Sequence, residues 1–264
     1  MTEVAGALAG LRLRSLTCIP VEVPLRYVLG TSAATVRAAP LLLVEVVTEQ
    51  GVTGRSYVFC YRRSGAKSIA LVLDDAFDLV RGDNVAPLAI AAKLQRLFAL
   101  IGVTGVVRMA LSALDMALWD ALAVAAGVPL TCLLGGKPRA VRAYNSCGLG
   151  ENFDGAKDLL RALQAGACDL VMPDAGRIGG VSGWMQAAGV AESHGALMSS
   201  HLMPEVSAHL LAATPTCHWL EYVDWTDAIA RQPVKIENGC WPMNDSPGTG
   251  IDWDTGAVER YRIA

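Results

Sequence analysis

Asp169-Leu-Val-Met-Pro-Asp-Ala-Gly-Arg-Ile-Gly-Gly180 sets a short apolar run against a glycine-rich turn, and the segments around it repeat that grammar. Upstream, Val141 to Ser146 reads as a strand and Asp154 to Gln164 as a helix closed by Gly166. Asp169 to Pro173 is a short buried strand, and Ser182 to Ser193 is a helix closed by His194-Gly195. Leu197 to His201 is the next strand, Glu205 to Ala213 a helix ended before Pro215, and His218 to Val223 a last strand. Strand and helix alternating across short turns predict β/α units on a parallel sheet.

The N-terminal part follows another pattern. Residues 12–61 read as strands: Ala39 to Val47 is rich in Leu and Val, Glu49-Gln50-Gly51 turns the chain, and Ser56 to Tyr61 returns as a hairpin. A loop is expected at residues 27–38, with Gly30, Thr31 and Ser32. Residues 64–126 read as helices. Val103 to Ala126 carries only Arg108, Asp115 and Asp120 as charges, so this helix is expected to be buried and to end at Gly127. Residues 133–141 form a linker into the alternating part.

Composition excludes several classes. With 53% apolar and 18% charged residues and a net charge of −3, the chain is not disordered. Its 17 Arg and 5 Lys are scattered, so no nucleic-acid footprint is expected. The uncharged run Ala121 to Gly136 is too short and too broken for a membrane span, and the N-terminus lacks the basic region of a signal peptide. Seven cysteines with no CxxC pair fit free thiols in a reducing cytoplasm.

Ligands on parallel β/α sheets gather at the carboxyl ends of the strands. Glu151, Asp174, His201 and Glu221 fall at or just beyond those ends, spaced 23, 27 and 20 residues apart, about one unit each. Asp174 and His201 are expected on adjacent strands, where a carboxylate beside an imidazole fixes its tautomer and raises its basicity. Blander readings stand beside these. Asp174 after Pro173 could cap a helix, His201 could be a satisfied core histidine, and Glu221 could be a solvated rim charge. His209 and His218 read as structural, and His194 as a histidine at a helix C-terminus. Gly176-Arg-Ile-Gly-Gly180 lacks both the Walker lysine and the GxGxxG spacing and reads as a tight turn.

These residues resemble the enolase superfamily, and within it the mandelate racemase subgroup of the mandelate racemase / muconate lactonizing enzyme family. The resemblance is carried by Ala110-Leu-Ser-Ala-Leu-Asp-Met-Ala-Leu-Trp-Asp120 with Leu133-Leu-Gly-Gly136, by Met172-Pro-Asp-Ala-Gly-Arg-Ile-Gly-Gly-Val181, by Ser199-Ser-His-Leu202, and by Leu211-Ala-Ala-Thr-Pro-Thr216 with His218-Trp-Leu-Glu221. It implies an α+β capping domain, residues 1–138, on a (β/α)-barrel-type domain, residues 139–264, whose C-terminal tail returns to the cap. It implies abstraction of the proton α to a carboxylate, with Mg2+ stabilising the enediolate, in a racemase or dehydratase. By the resemblance His201 and Asp174 are the base dyad and Glu221 hydrogen-bonds the substrate carboxylate. Glu151 is a metal carboxylate, and Phe59, Tyr61 and Ser146 line the substrate. The apolar character of the covering segments favours an aromatic or apolar 2-hydroxy acid over an acid sugar.

The chain departs from that pattern in one place. The family's other base is a lysine in a Lys-x-Lys strand, and no Lys-x-Lys occurs here. Val141 to Trp225 is 85 residues, enough for roughly three β/α units and an opening strand rather than eight. An internal deletion between Gly150 and Glu151, removing on the order of 90–100 residues, accounts for this. An incomplete barrel of about half the units is therefore expected, with weak Mg2+ binding because Glu151 stands alone. Exposed strand edges lead to an expected homo-oligomer, in which the chain is either an impaired enzyme or an inactive scaffold subunit.

Overall fold

A computed structural model describes residues 10–30, 35–145, 153–243 and 245–263. Three strands, β1 (Leu13–Gly30), β2 (Thr35–Thr48) and β3 (Thr53–Phe59), form an antiparallel meander in the order β1-β2-β3. Leu41, Leu42, Leu43, Val44 and Val46 of β2 are buried, because helices cover the sheet. The expected loop at 27–38 is a correction: Leu29 pairs with Val36 and Gly30 with Thr35, so the ladder runs almost to the tip. Cross-strand pairing outweighs the turn-forming composition there, and residues 31–34 lie outside the described residues.

Three helices follow: α1 (Arg63–Asp78), α2 (Pro87–Leu97) and α3 (Gly105–Ala126). Helix α3 is long and apolar enough to pass for a membrane span, yet it is a buried core helix, ended by Gly127 in the left-handed conformation. It lies so close to β3 that a Cβ at Gly54 would meet the Ala117 carbonyl oxygen at 2.1 Å. Its two acidic residues are fastenings. Asp120 accepts from the Arg55 backbone N–H at 2.8 Å and from the backbone N–H and hydroxyl of Thr249 at 2.7 and 2.8 Å. Asp115 accepts from the backbone N–H and hydroxyl of Ser182 at 2.9 and 2.5 Å, and burial pushes its carboxyl up to about 7.

After the single turn α4 (Leu130–Leu133) comes the barrel-type part: β4 (Val141–Asn145), α5 (Ala156–Gln164), β5 (Leu170–Val171), α6 (Ala175–Ile178), α7 (Gly180–Ser193), β6 (Leu197–Met198), α8 (Pro204–Ala213) and β7 (Leu220–Tyr222). Strand β8 (Cys240–Trp241) pairs antiparallel with the start of β4. Helix α9 (Thr255–Tyr261) brings the tail back to β1, where the Ile263 N–H donates to the Pro20 carbonyl at 3.0 Å. β5 and β6 are parallel, and so are β4 and β7. Backbone bonds from His218 to Met198 (2.8 Å) and from Ser200 to Trp219 (3.0 Å) join the two pairs. The parallel order is thus β5-β6-β7-β4, and among the described residues β4 and β5 do not pair. The barrel is incomplete, an α+β cap over part of a (β/α) barrel. At its opening lies a cavity of about 450 Å³ lined by Leu170, Val171, Met172, Tyr144, Trp219 and His218, where the Tyr144 hydroxyl reaches the Met172 sulfur at 3.1 Å.

Candidate active site

Parallel pairing of β5 with β6 runs on beyond the strands proper. The His201 N–H donates to the Pro173 carbonyl at 3.1 Å, and Asp174 bridges to His201. That register sets the two side chains side by side: His201 Nδ1 lies 3.0 Å from Asp174 Oδ2, both residues buried. Asp174 makes both contacts, to a helix and to the histidine. Its Oδ1 accepts the Gly176 N–H at 2.7 Å and caps α6, while Oδ2 holds the histidine. Gly179 and Gly180, both at positive φ, make the tight turn into α7.

Glu221 reaches the same place from β7. Its Oε2 lies 3.9 Å from His201 Nε2 and accepts the Leu202 N–H at 2.6 Å, while its own N–H donates to the Ser200 hydroxyl at 3.1 Å. It is buried and held in place, which excludes the reading as a solvated rim charge. Burial works against a charged His201. The hydrogen bond and charge of Asp174, with the charge of Glu221, outweigh it, and Arg177 opposes them; the imidazole is left above the ordinary histidine value. His209 and His218 lie elsewhere. His209 is a buried link between Thr131 and Thr249, and His218 bonds Ser199 at 3.1 Å. His194 caps the end of α7.

Phe59 and Tyr61 come from the end of β3 and the residues just after it. Their ring centroids are 4.4 Å apart, and Phe59 packs on Trp225 at 4.6 Å. Tyr61 is electrostatically coupled to Asp174, Arg177 and Glu221. Three non-glycine residues at this site have positive φ: Tyr61 (62°), Leu202 (55°) and Met203 (45°). Strain of that kind persists where the surroundings over-determine the chain. Neither it nor the Arg177 guanidinium over the Tyr61 ring, 4.8 Å from the centroid, was legible beforehand. No glycine, asparagine or other left-handed former marks these positions. Ser146 and Glu151, expected at the substrate and at a metal, lie outside the described residues.

Comparison with known proteins places this geometry. The description "Mandelate racemase / muconate lactonizing enzyme, N-terminal domain" matches residues 14–135, and "Enolase C-terminal domain-like" matches residues 139–257. A crystal structure of an enolase from the alpha proteobacterium bal199 with bound magnesium superposes with a TM-score of 0.91 at 32% identity, covering 96% of this chain and 100% of that one. An enolase from Bradyrhizobium complexed with magnesium and mandelic acid gives 0.88 at 27% identity, covering 96% and 99%. The L-talarate/galactarate dehydratase of Salmonella typhimurium is 23% identical over 348 residues, 90% of this chain and 87% of its own length. That span exceeds the 264 residues present here, so the match contains a long interior gap. The 3,6-anhydro-alpha-L-galactonate cycloisomerase of Streptomyces coelicolor is 31% identical over 115 residues, 43% of this chain and 32% of the relative.

Magnesium is bound in the two solved enolase structures. Near-octahedral oxygen ligation is its requirement, usually with more than one protein carboxylate or substrate oxygen. Among the described residues no group of three His, Cys, Asp or Glu side chains converges as a metal site. Asp174 and Glu221 are already committed to His201, Gly176 and Leu202, so these residues do not fit the ion.

Proposed function

The chain belongs to the mandelate racemase / muconate lactonizing enzyme family, and from that premise we propose that it is an impaired member. Its remaining chemistry is removal, by His201, of the proton α to a carboxylate from one face of a small 2-hydroxy acid. The observation that carries this is the 3.0 Å contact of Asp174 Oδ2 with His201 Nδ1, with Nε2 turned toward Glu221. Asp174 accepts the Nδ1 proton, so Nε2 bears the lone pair and acts as the base. Glu221, 3.9 Å from Nε2, is the residue that faces the substrate carboxylate. Phe59, Tyr61 and Trp225 form an aromatic wall, which supports an aromatic or apolar acid.

Racemisation needs a second proton donor on the opposite face, and the chain has no Lys-x-Lys to supply one. One-base outcomes, exchange or dehydration, are what the remaining residues support. The test is α-proton exchange: mandelate enantiomers are incubated with the chain in D2O, with magnesium and with chelator, and the α-proton is followed by NMR. Exchange of one enantiomer, abolished by His201→Asn, is expected. No exchange from a folded sample overturns the reading.

One observation favours a second reading, a homo-oligomer subunit. The barrel opening leaves Leu170 48% exposed on the edge of β5 that has no partner among the described residues. Size-exclusion with light scattering decides it, since a clean monomer excludes the subunit role.

A further inference from the structure

We propose that Arg177 is the carboxylate anchor of this site, binding the acid group of the substrate without a metal ion. The inference rests on the reading that the site takes a 2-hydroxy acid, and it names the group that would hold that acid. A carboxylate entering a cleft that already holds Asp174 and Glu221 needs a cation to offset them. Among the described residues the donor set does not fit magnesium, and Arg177 is the cation whose charge acts on both His201 and Tyr61.

The geometry suits the task. Arg177 stands three residues after Asp174 on α6, the single turn that Asp174 caps, so the dyad and the guanidinium share one rigid base. The guanidinium lies over the Tyr61 ring, 4.8 Å from the centroid, and Tyr61 is held at φ 62°. The ring contact and a side-chain hydrogen bond to Tyr61 pre-organise the planar cation and leave its Nε donor unpartnered, and such a fork recognises a carboxylate. Arg177 Nε is buried and has no hydrogen-bond partner, while the side chain keeps partial exposure. None of the carboxylates among the described residues forms an ion pair with it. An unsatisfied, charge-bearing donor beside a catalytic dyad is costly to maintain and is relieved by an anionic ligand.

The experiment is calorimetric titration of the full chain with (R)- and (S)-mandelate in EDTA, with the uncharged mandelamide as the matched probe. Wild type is expected to bind mandelate and to prefer it over mandelamide. Arg177→Met should weaken mandelate at least tenfold and leave mandelamide within twofold. Arg177→Lys keeps the charge without the fork and should fall between. Tyr61→Leu, which removes the stacking but not the cation, should cost several-fold and serves if Arg177→Met does not fold. Mandelate affinity unchanged in Arg177→Met, or binding seen only when magnesium is added, overturns the anchor. Unchanged binding in Arg177→Met with α-proton exchange intact overturns the anchor alone. Arg177-dependent binding with no exchange overturns the proton-abstraction reading alone.

Discussion

Asp174 divides its two carboxylate oxygens between a helix and a histidine: Oδ1 accepts the Gly176 N–H at 2.7 Å, and Oδ2 lies 3.0 Å from His201 Nδ1. The helix N-terminus thereby fixes the carboxylate, and the carboxylate fixes the imidazole. The charges around the ring rank its titration. Asp174 contributes most to raising it, Glu221 less, and Arg177 works the other way. In NMR titrations of the His201 ring, Asp174→Asn should lower the pKa most, Glu221→Gln should lower it less, and Arg177→Met should raise it. A larger effect of Glu221→Gln than of Asp174→Asn would show that the 3.0 Å pair does not persist in solution.

The same division separates catalysis from stability. Asparagine caps helices as well as aspartate, so Asp174→Asn should cost under about 1 kcal/mol in a urea melt. It nevertheless turns an NH2 group toward Nδ1, and the ring then carries its proton on Nε2, where the base is needed. Exchange of the α-proton should fall roughly 10²–10⁴-fold. A matching collapse of stability would assign Asp174 to the fold alone.

Much of this site was legible because parallel β/α units place strand ends on one rim, so the spacings from Asp174 to His201 to Glu221 translate directly into proximity. The length of α3 was equally plain, since an all-round apolar helix has only the core to go to. Other features had no local signature. Leu202 and Met203 adopt positive φ where the Leu202 N–H donates to Glu221 from the next strand, a partner distant in sequence. Arg177 sits inside a glycine-rich turn and reads as turn chemistry until Tyr61 is seen beneath it. Strands β5 and β6 are shorter than the apolar runs that predicted them, and among the described residues β5 pairs only with β6.

Glycine at 180 is required twice over. Its φ is +69°, and a Cβ there would meet Asp115 Oδ2 at 2.4 Å, an oxygen already bound by the Ser182 N–H. Gly82 has φ +80° with nothing within 4 Å. Gly82→Ala should therefore cost about 1 kcal/mol and Gly180→Ala more than about 2 kcal/mol in urea denaturation. Equal losses would mean that the α3 to α7 fastening through Asp115 gives way freely.

Acid sensitivity should come in large part from His209, far from the dyad in role. It is buried, with Nδ1 facing the Thr131 N–H at 3.4 Å and Nε2 facing the Thr249 carbonyl at 3.3 Å. Only the neutral ring protonated on Nε2 satisfies both neighbours, since a second proton would set N–H against N–H. Burial lowers its pKa from the ordinary 6.5 to about 4. The unfolded chain then takes up the proton first, so stability is lost as pH falls from 6.5 toward 4. Asp115, raised to about 7, works in the opposite sense over an overlapping range, losing its contribution as pH rises toward that value. The two are separated by comparing chains that share Asp115. Between pH 7 and pH 5, wild type should lose about 2 kcal/mol more than His209→Asn in urea unfolding, because asparagine keeps an acceptor but does not titrate. Parallel pH profiles for the two chains would remove His209 as the source.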